Sequence, residues 1–315
     1  LLAVIAVTVV ITVLVVGKDS GSESPTPTNG PTSDFASAND KGPATIITED
    51  PTCGPSAPIF ETLAAQQRNG WEARDPSIAV SAWTPAVRAQ YEAVGQAMRS
   101  AADQMVPLAK LTPHRVMREL YDQFTAYSRA YAERIPSYAP PDENLAGASN
   151  SAMDSISRIC AAISYGSASA RGPLVPPIAA PSQTASPGDP ADPQRFLNGP
   201  NSICADWDAT LSQFQNETAD WLAIPSDIPA GQWTPQQRAI NDAVGPVMST
   251  FADKLQILGE RSGNPTLQDF AELSAQYRRA YVHALPSYTP SDNYLASAAL
   301  RLTGVVSAAC LAVGK

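Results

Sequence analysis

Histidine is nearly missing from this sequence. His114 and His283 are the two present in 315 residues, and they fall at unrelated positions of the repeat described below. A site built twice by that repeat therefore cannot use an imidazole. No CxxC pair and no Cys/His spacing of a metal site occurs, which argues against zinc. GxSxG, HExxH, a Walker loop and the Rossmann glycine pattern are absent, and with them the motif-bearing hydrolase, metalloprotease and nucleotide-binding readings. Basic runs are also missing. The net charge is −9 and the pI about 4.7, whereas nucleic-acid binders concentrate Lys and Arg to displace phosphate counterions. The expectation is a non-enzymatic protein with no metal, cofactor or nucleic-acid partner.

What is present begins with an uncharged run, LLAVIAVTVVITVLVV, ended by Gly17-Lys18-Asp19. As a helix it would cover about 24 Å of a hydrocarbon core about 30 Å thick. It is too long for a single buried strand. Residues 1–17 are therefore read as a transmembrane anchor, part of a longer span. Val15-Val16-Gly17-Lys18 offers no small-x-small cleavage site, which favours an anchor over a removed signal. Residues 18–50, with SPTPTNGPTS at their centre, have the composition of a flexible stalk, and their Thr and Ser could carry O-linked sugars.

The strongest internal signal is a duplication. Aligning residue i with residue i+150 matches Trp71 with Trp221, Trp83-Thr84-Pro85 with Trp233-Thr234-Pro235, and Arg88 with Arg238. Ala93-Val94-Gly95, Met98 and Ala102-Asp103 recur as Ala243-Val244-Gly245, Met248 and Ala252-Asp253. Arg129-Ala130-Tyr131, Pro136-Ser137-Tyr138 and Cys160 return as Arg279-Ala280-Tyr281, Pro286-Ser287-Tyr288 and Cys310, and one inserted residue brings Cys53 onto Cys204. Each copy is about 110 residues, enough for a core of its own. The expected division is module one over 51–165, a Pro-rich extended linker over 166–200 and module two over 201–315.

Within each copy the apolar spacing is helical. A first, irregular helix around 57–68 turns Phe60 and Leu63 inward. Thr84-Pro85 and Thr234-Pro235 each place a capping hydroxyl before a proline suited to the first helical position. A third helix is expected from Thr112-Pro113 or Asn264-Pro265, and a fourth from near Asp142 or Asp292. The expected fold class is all-α: two tandem disulfide-closed four-helix modules. In an up-down bundle the start of helix one and the end of helix four share an end. With the repeat, that geometry selects Cys53–Cys160 and Cys204–Cys310 from three connectivities. Closing a loop of about 100 residues is worth about 4.7 kcal/mol on polymer-entropy grounds. Paired cysteines after a membrane span place the soluble part in an oxidising, extracytoplasmic compartment.

The same geometry gathers repeated aromatic and Arg side chains at the opposite end. Trp71, Trp83, Arg88, Arg129 and Tyr138 in the first copy, and Trp221, Trp233, Arg238, Arg279 and Tyr288 in the second, form the candidate binding surface. The competing expectation is structural: the tryptophans plug the end of each bundle, and the arginines pair with Asp103 and Asp253. Pro136-Ser137-Tyr138 and its counterpart are read as stiff turns with Tyr packed inward.

The layout, with TIITEDPTC from Thr45 to Cys53 opening onto Ala-rich helices, resembles the uncharacterised single-span, Pro/Thr-rich envelope membrane proteins of mycobacteria and related actinobacteria. The resemblance implies a plasma-membrane protein with an outward-facing soluble part and no assigned activity. The expected function is an interaction or ligand-binding protein with an envelope protein or lipid as partner. The alternatives are an envelope enzyme with a site between the modules, and a structural or sensor subunit.

Overall fold

The computed structural model describes residues 35–68 and 70–314; the anchor expected over 1–17 lies outside them. Among the described residues all regular structure is helical. The first copy contains α1 (Cys53–Gln67), α2 (Pro85–Leu111), α3 (Arg115–Arg134) and α4 (Glu143–Ser164). A short α5 (Ser167–Arg171) follows. The second copy contains α6 (Cys204–Glu217), a one-turn α7 (Ala219–Leu222), α8 (Pro235–Arg261), α9 (Pro265–Ala284) and α10 (Asn293–Ala312).

Local chemistry accounts for the helix starts. The Thr84 hydroxyl accepts from Val87 N, and Thr234 accepts from Gln237 N while the Gln237 side chain accepts from Thr234 N. Asn264 caps α9 through Leu267 N at 3.0 Å. In the first copy the third helix starts later than expected, at Arg115, with Pro113 left in the turn. Thr112 there accepts from His114 N and donates to Asp50 Oδ2 at 2.5 Å, so its hydroxyl serves the turn and not a helix cap. Disulfides join Cys53 to Cys160 and Cys204 to Cys310, with Cα–Cα distances of 5.3 and 5.5 Å.

The two copies pack face to face. Among the described residues the most extensive helix contact is between α4 and α10, where small side chains let the backbones approach. A Cβ on Gly304 would lie 3.1 Å from Ser151 Oγ. Adding 150 to Ser151 and subtracting it from Gly304 gives Arg301 and Asp154, and those two form an ion pair at 3.1 Å. The contact is thus isologous, an internal version of a twofold dimer interface. α10 together with the turn before it is long and apolar enough to cross a membrane, but 56% of its most apolar window is buried inside the protein. Its apolarity is explained by that packing.

Composition assigned residues 35–50 to the stalk, yet they are ordered against the bundle. Ala44 and Ile47 are buried, Ala36 N donates to Lys110 O, and Arg115 donates to the carbonyls of Asp40 and Gly42. Tyr277 Oη donates to Ile47 O, so this segment touches both copies. Buried backbone polar groups and two apolar anchors outweigh the low hydrophobicity of the stretch. The Pro-rich segment after α5 forms no helix beyond one 3-10 turn, but it too is fastened: Gln123 bonds both Gln194 O and Phe196 N, and Asn264 donates to Phe196 O.

Candidate functional site

Both copies build the same aromatic frame at the end away from the disulfide. Trp83 Nε1 donates to Ile78 O at 2.8 Å, and Trp233 Nε1 to Ile228 O at 3.0 Å. Tyr138 Oη donates to Pro76 O, and Tyr288 Oη to Ser226 O. Arg88 and Arg238 reach the carbonyls of Val80 and Ala230, holding the loop before helix two. Of the ten candidate residues, eight therefore belong to these two frames. Arg129 and Arg279 instead pair with Asp103 and Asp253, each at 2.7 Å, on the flank of helices two and three. The expected pairing with Asp103 and Asp253 is thus made by Arg129 and Arg279 and not by Arg88 and Arg238, and the Tyr138 and Tyr288 side chains pack inward as expected.

What fills the frame differs between the copies. In the first, the Tyr91 ring is fully buried, with centroids 4.8 Å from Trp71, 3.9 Å from Trp83 and 5.1 Å from Tyr138. Arg74 lies 3.6 Å over the Trp71 ring and forms an ion pair with Glu143. Glu143 also accepts from Tyr131 at 3.3 Å. Burial, and then the negative Glu143, raise the pKa values of Tyr131 and Tyr138, so both phenols stay protonated. This end is closed.

In the second copy the counterparts of Tyr91, Arg74 and Glu143 are Asn241, Ile224 and Asn293. A ring and both members of the ion pair are gone. The frame stays: Trp233 stacks on Tyr288 with centroids 5.7 Å apart, and Trp221 meets Tyr281 edge-on at 5.7 Å. Between them opens a cavity of about 350 Å³ walled by Trp221, Trp233, Tyr281, Tyr288 and Asn241, with the exposed Leu222 at its rim. Such a volume lies at the small end of ligand pockets, about 300–1,000 Å³. Asn241 is 2% exposed and donates to Gln237 O.

The apolar stripe Val87, Tyr91, Val94 and Met98 turns Tyr91 inward in the sequence as in the structure, but Asn241, Arg74 and Glu143 were not singled out because identities between the copies do not include them. The decisive positions are differences, and the aligned repeat displays them once identities are set aside.

A second polar site lies at the junction of the copies. Arg115 grips Asp269 with two bonds of 2.7 and 2.8 Å, both residues 1% exposed. Beside them a cleft of about 310 Å³ is lined by Arg118, Glu119, Asp122, Thr266 and residues of the 185–196 segment. Burial is the main cause that raises the Glu119 carboxyl well above its ordinary value, with Asp269 adding to it. Burial also lifts Asp122 to about 7 against the opposing charge of Arg118. No group of three or more His, Cys, Asp or Glu residues with metal-site geometry exists among the described residues.

The fold and its ends thus define a duplicated, disulfide-closed helical protein with one closed and one open aromatic end. Residues 35–314 match the mycobacterial ESX-1 associated protein family, and the chain belongs to that family. It is also similar to an uncharacterised protein of Mycolicibacterium smegmatis (strain MKD8), 53% identical over 317 aligned positions that cover 99% of this chain and 84% of that protein. No solved structure matches it. The resemblance to mycobacterial proteins drawn from layout agrees with both findings.

Proposed function

We propose that this chain is a non-catalytic binding component of the ESX-1 secretion apparatus in the cell envelope, working through the open end of its second copy. The observation that carries this reading is the aromatic cavity at Trp221, Trp233 and Tyr288, which the first copy fills from within. A cavity that combines aromatic rings with a few polar side chains, here Ser226, Asn241 and Asn293, is the kind that protein and small-molecule recognition uses. The family's association with ESX-1 supports a protein partner in that system. Two disulfides fit an oxidising compartment outside the cytosol, and an anchor over 1–17 would hold the bundle at the membrane. The test is co-purification of ESX-1 components with the full chain and with Asn241→Tyr, which copies the closed end into the second module. The variant should fold and lose the partner; retention of the partner would refute the reading.

A second reading, catalysis in the junction cleft, is favoured by the two carboxylates that line it, Glu119 and Asp122; burial raises Asp122 to about 7, in the range a general acid or base uses. Against it, Arg118 lies against both Glu119 and Asp122, as in a structural charge network. If Asp122→Asn leaves secretion by ESX-1 unchanged, this alternative fails.

A further inference from the structure

The first copy shows what the frame accommodates. Three rings of the frame, Trp71, Trp83 and Tyr138, surround the ring of Tyr91 at centroid distances of 3.9 to 5.1 Å. The second copy keeps all three, as Trp221, Trp233 and Tyr288, and places Asn241 where the fourth ring would be rooted. We propose that the second copy's pocket receives a tyrosine side chain of a partner protein, its ring taking the place that Tyr91 occupies in the first copy. This rests on the reading of the open end as a binding surface and names the group it binds.

Three features favour that occupant. Four of the lining side chains, Trp221, Trp233, Tyr281 and Tyr288, are aromatic, and such rings attract another ring through offset and edge-on contacts. The ionic pair of the first copy has been replaced by Ile224 and Asn293, so the pocket has no charge demanding a counter-ion. The carboxamides of Asn241 and Asn293 line the same pocket, offering hydrogen-bonding groups suited to a phenol hydroxyl. α8 itself supplies no ring at this position, where it carries Asn241.

The test uses p-cresol, the bare tyrosine ring, titrated into the full chain in detergent by calorimetry and ligand-observed NMR. One site per chain is expected. Both Asn241→Tyr and Asn241→Phe should weaken it by at least roughly tenfold, with helical content and thermal melting confirming that the variants fold. Tyr91→Asn, where it folds, should add a second site. With the ESX-1 partner bound, p-cresol should displace it and glucose at equal concentration should not, and one partner tyrosine should prove necessary when each is replaced by alanine. No p-cresol binding, binding indifferent to both Asn241 variants, or displacement by glucose alone would overturn the proposal. If Asn241→Tyr abolishes partner binding while p-cresol neither binds nor competes, the open end remains a binding surface and the tyrosine is refuted. A partner indifferent to Asn241→Tyr would refute the surface itself.

Discussion

In the first copy Tyr91, Arg74 and Glu143 complete an aromatic cap; at the matching positions the second copy has Asn241, Ile224 and Asn293. The supports of the cap are retained in both: the indole bond to the residue-78 or residue-228 carbonyl, the Tyr bond to the residue-76 or residue-226 carbonyl, and the Arg bond to the loop. The copies therefore share these supports and differ in filling and in the seat of one tryptophan, Trp71 packing on Tyr91 and Trp221 on Tyr281. One end packs a fourth ring into its own module, while the other leaves a cavity whose aromatic walls are buried except for the half-buried Trp221.

The largest expected effect separates the two positions. Tyr91→Ala deletes a fully buried ring and should cost about 3–5 kcal/mol, whereas Asn241→Ala should cost about 1 kcal/mol, the worth of one net hydrogen bond. Equal losses in urea unfolding would break the comparison. Next come the disulfides. Replacing both cysteines of either bridge by serine should cost about 2–5 kcal/mol, similarly in each copy, because the closed loops span 107 and 106 residues. Unequal costs would show that the frames themselves are not equivalent.

A smaller effect concerns the ion pair. Arg74→Ala leaves Glu143 beside buried tyrosines and should cost about 1–3 kcal/mol, between the ranges for exposed and fully buried pairs. Asn293→Ala, at the position of the missing carboxylate, should change stability by less than about 1 kcal/mol. The pH dependence sharpens a further asymmetry at the junction, where Asp122 faces Arg118. Its carboxyl is raised by burial to about 7, from about 3.9 in the unfolded chain. Between those values the folded state holds the extra proton, so stability falls as pH rises through the window and levels off above it. Asp122→Asn should reduce that loss by about 2–3 kcal/mol between about pH 5 and about pH 8, measured by urea unfolding at each pH. A slope unchanged by the substitution would contradict the burial argument.

Much of the fold was legible from the sequence. Thr84-Pro85, Thr234-Pro235 and Asn264-Pro265 mark helix starts, Thr112-Pro113 does not, and the shared end of an up-down bundle gave the disulfide pairing. What local pattern could not show was docking between copies. Buried Arg115 and Asp269 look like ordinary solvated charges until α3 and α9 meet, and the Gly304–Ser151 approach depends on a partner helix 150 positions away. The ordering of residues 35–50 was hidden for the same reason: their anchors, Ala44 and Ile47, find their core in the assembled bundle. At the aromatic ends, the identities Trp83/Trp233 and Tyr138/Tyr288 revealed a shared scaffold, while Tyr91 against Asn241 carries the difference in filling.

The most direct measurement of that contrast places a photoreactive residue at Leu222, on the rim of the open pocket, and at its counterpart Glu72, both exposed, in cells with an active ESX-1 apparatus. Capture of the same ESX-1 component from Leu222, absent from Glu72 and abolished by Asn241→Tyr, is the predicted result. Equal capture from both sites, or capture from Leu222 that survives Asn241→Tyr, would contradict the assignment of binding to the open end.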